Sequence, residues 1–171
     1  MTHHLILGGA RSGKSRFAEQ LATRSGRPVT YIATCQPGKD AELAERIAAH
    51  QARRPESWAV IEEPTRLAAT LQATARDAHC ILVDCLTLWI TNLLLKEDPH
   101  LLKTEQQALV DTLPTLPGQI LLISNEVGQG ITPVNTLSRR FIDQAGELHQ
   151  TLAQICHTVT LVTAGLPQKL K

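Results

Sequence analysis

The chain has 171 residues, long enough to bury one real core, and no second domain is needed, so a single unit over residues 1–171 is expected. Its 17 Lys plus Arg stand against 16 Asp plus Glu, which leaves no broad cationic field of the kind that holds a nucleic acid backbone. Phe17, Tyr31, Trp58, Trp89 and Phe141 are scattered rather than interleaved with basic residues, so no base-stacking platform is predicted and nucleic acid is excluded as a partner.

The chain opens on a short apolar strand over residues 4–7, with no basic segment and apolar run of the signal-peptide type, so export is not expected. A glycine-rich turn follows, then a helix on which Phe17, Ala18, Leu21 and Ala22 recur at helical spacing. Ser25, Gly26 and Pro28 end that helix before a second strand over 29–33. A loop at Gln36, Pro37 and Gly38 leads to a helix from Asp40 that should stop by Arg53 or Arg54, because Pro55 disfavours helical geometry before it.

A strand over 60–62 and a helix over 65–77 come next, then the apolar run Ile81, Leu82, Val83 ending in Asp84, as in a strand buried on both faces. The helical stretch 86–95 is interrupted by Thr87, Thr91 and Asn92 and is far shorter than the roughly 20 residues of a membrane span, so none is expected. A weaker helix over 101–113 precedes Pro114 and Pro117, a buried strand covers 120–124, a long helix covers 136–156, and a last strand covers 159–163. Strands alternating with helices predict an α/β fold with a mostly parallel sheet and helices on both faces. Cys35, Cys80, Cys85 and Cys156 show neither CxxC spacing nor a matching histidine pair, and read as reduced thiols of a cytoplasmic protein.

The chemistry starts at the first turn. Gly8, Gly9, Ala10, Arg11, Ser12, Gly13, Lys14 and Ser15 fit G-x-x-x-x-G-K-[ST] directly after a strand and at the start of a helix. Glycines let successive backbone N–H groups curl toward phosphate oxygens, and the helix N-terminus adds its positive dipole end. Lys14 would reach the β and γ phosphates and the Ser15 hydroxyl would bind Mg²⁺. Asp84, at the end of a buried strand, is the candidate second metal-holding group; its alternative role is to cap the helix that begins two residues later. The base-reading N-K-x-D sequence of regulatory GTPases is absent.

On the helix from Asp40, Leu43, Ile47 and His50 share a side, with Arg46 four residues before His50 and Arg54 four after. Cations so placed oppose protonation of the imidazole and attract phosphate, which suits a nucleophile toward phosphorus. Periodicity alone favours the blander alternative, a histidine packed beside Leu43 with its arginines in solvent. Residues 125–133, with Gly128 and Gly130, could shape a ligand pocket or a subunit contact, or be a turn with demanding backbone angles.

Taken together, GGARSGKS at 8–15, YIAT at 31–34, RIAAHQARRP at 46–55, ILVDCLT at 81–87, TNLL at 91–94, NEVGQGITPVN at 125–135 and GLPQKLK at 165–171 resemble the bifunctional adenosylcobinamide kinase / adenosylcobinamide-phosphate guanylyltransferase family. The matches run in order over nearly the whole chain. The phosphate loop is widely shared, whereas the R-I-x-x-H-x-x-x-R-P and N-E-V-G-x-G-I-x-P segments are narrow.

The resemblance implies a P-loop NTPase-like fold and a covalent GMP adduct on His50. It implies GTP contacts from the phosphate loop, from Thr34, Cys35 and Gln36, from Gln51, Ala52, Arg53 and Arg54, and from Glu62 and Asp84. Glu63 is an equally placed solvated neighbour of Glu62. The implied substrates are GTP, ATP with Mg²⁺, and a corrinoid, adenosylcobinamide or its phosphate; the implied assembly is a homo-oligomer, a trimer. Family members often carry Glu at the position of Asp84, Asn at that of His149, and Ser at that of Cys35, so contact at Cys35 is assigned to backbone. The rival readings are a small-molecule P-loop kinase in which His50 is structural, and a nucleotide-dependent switch without a metabolite acceptor.

Overall fold

A computed structural model describes residues 2–35, 55–96, 98 and 100–171. Among them, seven strands form one sheet: β1 (Thr2–Gly8), β2 (Val29–Ala33), β3 (Ala59–Glu62), β4 (Cys80–Asp84), β5 (Gln119–Asn125), β6 (Thr158–Thr163) and β7 (Leu166–Lys169), in the order β3-β2-β4-β5-β1-β6-β7. Every pairing is parallel except β6 with β7. The helices are α1 (Lys14–Arg24), α2 (Leu67–Thr74), α3 (Leu86–Leu94), α4 (Leu101–Thr112) and α5 (Thr136–Ile155).

The central strands are apolar on both sides because helices cover both faces. On β1, Ile6 joins Leu82, Leu121, Ile123 and Val162 in a cluster against Ala18 and Ala22 of α1. Its neighbours Leu5 and Leu7 point the other way, into a larger cluster closed by Leu71 of α2, Trp89 of α3, Leu109 of α4 and Leu148 of α5. This alternation follows from the two-residue period of a strand. The parallel pairing puts the strand ends Gly8, Ala33, Glu62, Asp84, Asn125 and Thr163 at one edge, where an open α/β sheet is expected to hold ligands.

The predicted elements appear with small shifts at their ends. The helix expected over 65–77 is shorter, Leu67–Thr74, because the Glu63 carboxylate takes the N–H groups of Thr65 at 2.8 Å and Arg66 at 2.6 Å and holds them in a turn before the helix. Helix α5 starts where Asn135 accepts the Ser138 N–H at 3.1 Å. Strand β7 was not anticipated: it is exposed throughout and contains Pro167, so it lacks the apolar signal of a buried strand. Ala164 and Gly165, at φ 51° and 79°, form the two-residue hairpin that folds it onto β6. The predicted helix from Asp40 lies outside the described residues.

Candidate active site

Strand β1 ends at Gly8 and α1 begins at Lys14, so the loop between them turns where the motif demands. Arg11 and Gly13 adopt positive φ, 56° and 94°, and the Ser12 N–H donates to the Gly9 carbonyl at 3.2 Å, which curls the backbone into a cradle. A Cβ at Gly8 would stand 2.4 Å from Ser12 Oγ and 2.6 Å from the Val162 carbonyl, whereas one at Gly9 meets nothing within 4 Å. The cradle is therefore packed beneath and open above. Lys14 is buried and its ammonium donates to the Gly9 carbonyl at 3.1 Å, across the mouth of the loop.

Two contacts outside the motif brace this loop. The Gly165 N–H, from the β6–β7 hairpin, donates to the Ser12 carbonyl at 2.8 Å, and Gly165 Cα would lie 3.1 Å from a Cβ at Gly13. The Glu126 N–H donates to the Gly8 carbonyl at 3.0 Å. Gly165 was missed as a site residue, although GLPQKLK had been singled out; its role depends on a contact 153 positions away in sequence, which no local pattern encodes.

Asp84 ends β4, and its Oδ2 accepts the Tyr31 hydroxyl at 2.8 Å. The capping alternative is not what the structure has, since Cys85, not Asp84, is the N-cap of α3. Burial pushes the Cys85 thiol up to about 11, the Asp84 carboxylate adds to that rise, and Lys14 opposes it. Burial, with the Asp84 carboxylate second, also raises the Cys35 thiol.

Among the described residues no group of three His, Cys, Asp or Glu could hold a metal ion. Mg²⁺ does not require such a group, because it is bound through one or two protein oxygens together with phosphates and water. Ser15, half-buried in the first turn of α1, and Asp84 supply that donor chemistry.

The remaining predicted residues fall into three groups. Thr34 is fully buried: its hydroxyl donates to the Cys85 carbonyl at 2.8 Å and accepts the Cys85 N–H at 2.9 Å, so it locks β2 to β4 and its side chain has a structural duty. Glu62 is exposed at the end of β3, while Glu63 is tied into the turn before α2, which separates two neighbours the sequence left equivalent. Gln36, His50, Gln51, Ala52, Arg53 and Arg54 lie outside the described residues.

In the segment 125–133, neither Gly128 nor Gly130 has positive φ, so demanding backbone angles do not account for it. Ile131 and Val134 are 97% and 95% exposed. A cleft of about 460 Å³ opens beside α1 between Arg16, Gln20 and Trp58.

Comparison with solved structures gives matches at low identity. A type III secretion system ATPase of pathogenic bacteria matches with TM-score 0.56 and 13% identity, covering 98% of this chain and 56% of that one. The P4 protein of bacteriophage phi6, solved with ADP, matches with TM-score 0.51 and 11% identity, covering 98% and 52%. These show the fold alone.

Among curated proteins, the bifunctional adenosylcobalamin biosynthesis protein CobP of Pseudomonas aeruginosa is 58% identical over 167 residues, which is 98% of this chain and 96% of that protein. The corresponding protein CobU of Escherichia coli is 38% identical over 180 residues, covering 98% of each. The family model described as cobinamide kinase / cobinamide phosphate guanyltransferase matches residues 4–170. With its phosphate cradle, its Asp84 strand and this whole-length match, the chain belongs to the cobinamide kinase / cobinamide phosphate guanyltransferase family.

Proposed function

We propose that this chain carries out both reactions of its family, phosphorylating adenosylcobinamide and then attaching GMP to the product through a guanylylated His50. The observation that carries the nucleotide half is the cradle at residues 8–15 with Lys14 across its mouth and Asp84 at the same sheet edge. In the kinase step the corrinoid hydroxyl attacks the γ phosphorus of ATP or GTP. The bond to the β–γ bridging oxygen breaks, the nucleoside diphosphate leaves, and the hydroxyl proton passes to solvent. Lys14 and the loop N–H groups stabilise the charge spread over the transferring group. Mg²⁺ bound with the nucleotide, held by Ser15 and Asp84, would supply further neutralisation there.

In the transferase step a ring nitrogen of His50 attacks the α phosphorus of GTP and pyrophosphate leaves. A phosphate oxygen of adenosylcobinamide phosphate then attacks the same phosphorus, the P–N bond breaks, and His50 is regenerated. Two displacements replace one difficult one. Thr34, Cys35, Gln36, Gln51, Ala52, Arg53, Arg54 and Glu62 complete the GTP contacts in this reading. A cytoplasmic homotrimer without a nucleic acid partner belongs to the same proposal. Among the described residues no helix is long and apolar enough to cross a membrane.

The test uses α-labelled GTP with Mg²⁺. His50→Ala is expected to keep phosphorylating adenosylcobinamide while retaining no acid-labile GMP label, and Lys14→Ala to lose both activities by about a hundredfold or more. Unchanged labelling of His50→Ala would remove His50 from that role, and a wild-type chain that takes up no label would leave a small-molecule kinase with a structural histidine.

A further inference from the structure

Strand β5 lies between the strand that ends in the phosphate cradle and the strand that ends in Asp84. Its register pairs Asn125 with Gly8 on one side and Ile123 with Asp84 on the other. Any group held jointly by Lys14, Ser15 and Asp84 therefore hangs over the end of β5. The alternation of the strand decides which residue meets it. Leu121 and Ile123 pack on the α1 side of the sheet, so Asn125, of the same parity, faces the side that carries the cradle and the Tyr31–Asp84 bond. Ser124 faces the other side, where its hydroxyl is 2.6 Å from His149 Nε2.

The Asn125 amide is held in place. Its Nδ2 donates to Thr87 Oγ1 at 2.9 Å, and Thr87 is itself buried with its hydroxyl 3.2 Å from Cys85 Sγ. An amide nitrogen carries two hydrogens, and only one is directed at Thr87. The residue is half-buried, and its backbone is fixed by the pairing of β5 with β1 and by the adjacent Glu126 bond to Gly8.

We propose that Asn125 is a further positioning residue of the nucleotide site: the Nδ2–H not directed at Thr87 donates to an oxygen of the terminal phosphate and so separates triphosphate from diphosphate. The inference rests on the nucleotide reading above and adds a residue outside the phosphate loop to it. Loss of the γ phosphate in the kinase step removes the acceptor, so the contact favours exchange of product diphosphate for fresh triphosphate. Thr87 acts through Asn125 by orienting the amide.

Equilibrium binding of GTP and GDP, each with Mg²⁺, tests this in a His50→Ala chain, which transfers no GMP to itself, with Asn125 intact or carrying Asn125→Ala or Asn125→Asp. A hydrogen bond to a charged phosphate predicts that Asn125→Ala weakens GTP by about tenfold or more and GDP by less than about twofold, so that the ratio of affinities collapses. Asn125→Asp, the same size but without the donor and with a negative charge, should lower the ratio further, and it gives the same readout if the alanine variant fails to fold. An unchanged ratio overturns the inference, whether both nucleotides weaken together, as a purely structural role requires, or neither does. A GTP preference retained in Asn125→Asp also overturns it. If the chain with Asn125 intact binds neither nucleotide, the site reading itself fails.

Discussion

At Gly8 the absence of a side chain is a steric requirement. An added methyl would meet Ser12 Oγ, which can rotate away, and the Val162 carbonyl, which belongs to a paired strand and cannot. Gly8→Ala is therefore expected to cost about 1–3 kcal/mol and to distort the cradle. A thermal melt should show the loss, at about 2–4 °C per kcal/mol for a chain of this size, together with weaker nucleotide binding. Gly9 makes no such demand, since its Cβ position is open. Cys85 is constrained by burial: with its thiol pushed up to about 11 it stays protonated at neutral pH and packs as a small neutral side chain.

The elements around the site are joined by a polar rim along the strand ends. Thr34 ties β2 to β4 through both backbone groups of Cys85. Asn92 of α3 donates to the Thr34 carbonyl at 2.7 Å and to the Pro64 carbonyl at 3.1 Å, and Trp89 Nε1 donates to the Thr65 carbonyl at 2.7 Å. Helix α3 thereby fixes both the exit of β2 and the link from β3 to α2. Asn92→Ala removes two of these bonds at once and should lower stability by about 1–3 kcal/mol, read as a fall in the urea midpoint with an unchanged slope. The rim also explains why TNLL at 91–94 stood out in the sequence: Asn92 interrupts an apolar helix because carbonyls at the sheet edge need a donor.

For the molecule as a whole, acid is the expected weakness. Burial lowers the pKa of His3, His4 and His149, with His157 adding to the effect at His3, Lys169 adding to it at His4, and Glu126 partly opposing it at His149. The ring nitrogens of His3 also find no hydrogen-bond partner among the described residues. All three imidazoles are neutral in folded and unfolded chains above the ordinary value of 6.5, so they leave stability unchanged there. Below it the unfolded chain takes up protons that the folded chain refuses, and stability falls as the pH drops toward the lowered values. Urea midpoints measured between pH 8 and pH 5 should decline on the acid side, and His149→Asn should flatten that decline. The architecture behind this was legible early. Buried strands alternating with amphipathic helices, and a GKS loop after the first strand, are local patterns whose period and glycine content imply an α/β sheet with a phosphate cradle at its edge. The pairing order was not legible, because hydrogen bonds between parallel strands link residues tens of positions apart and leave no mark on either strand alone. Only the folded chain places β5 between the cradle and Asp84, separates Glu62 from Glu63, and brings the Gly165 hairpin against Ser12, since each depends on contacts that exist only once the sheet has closed.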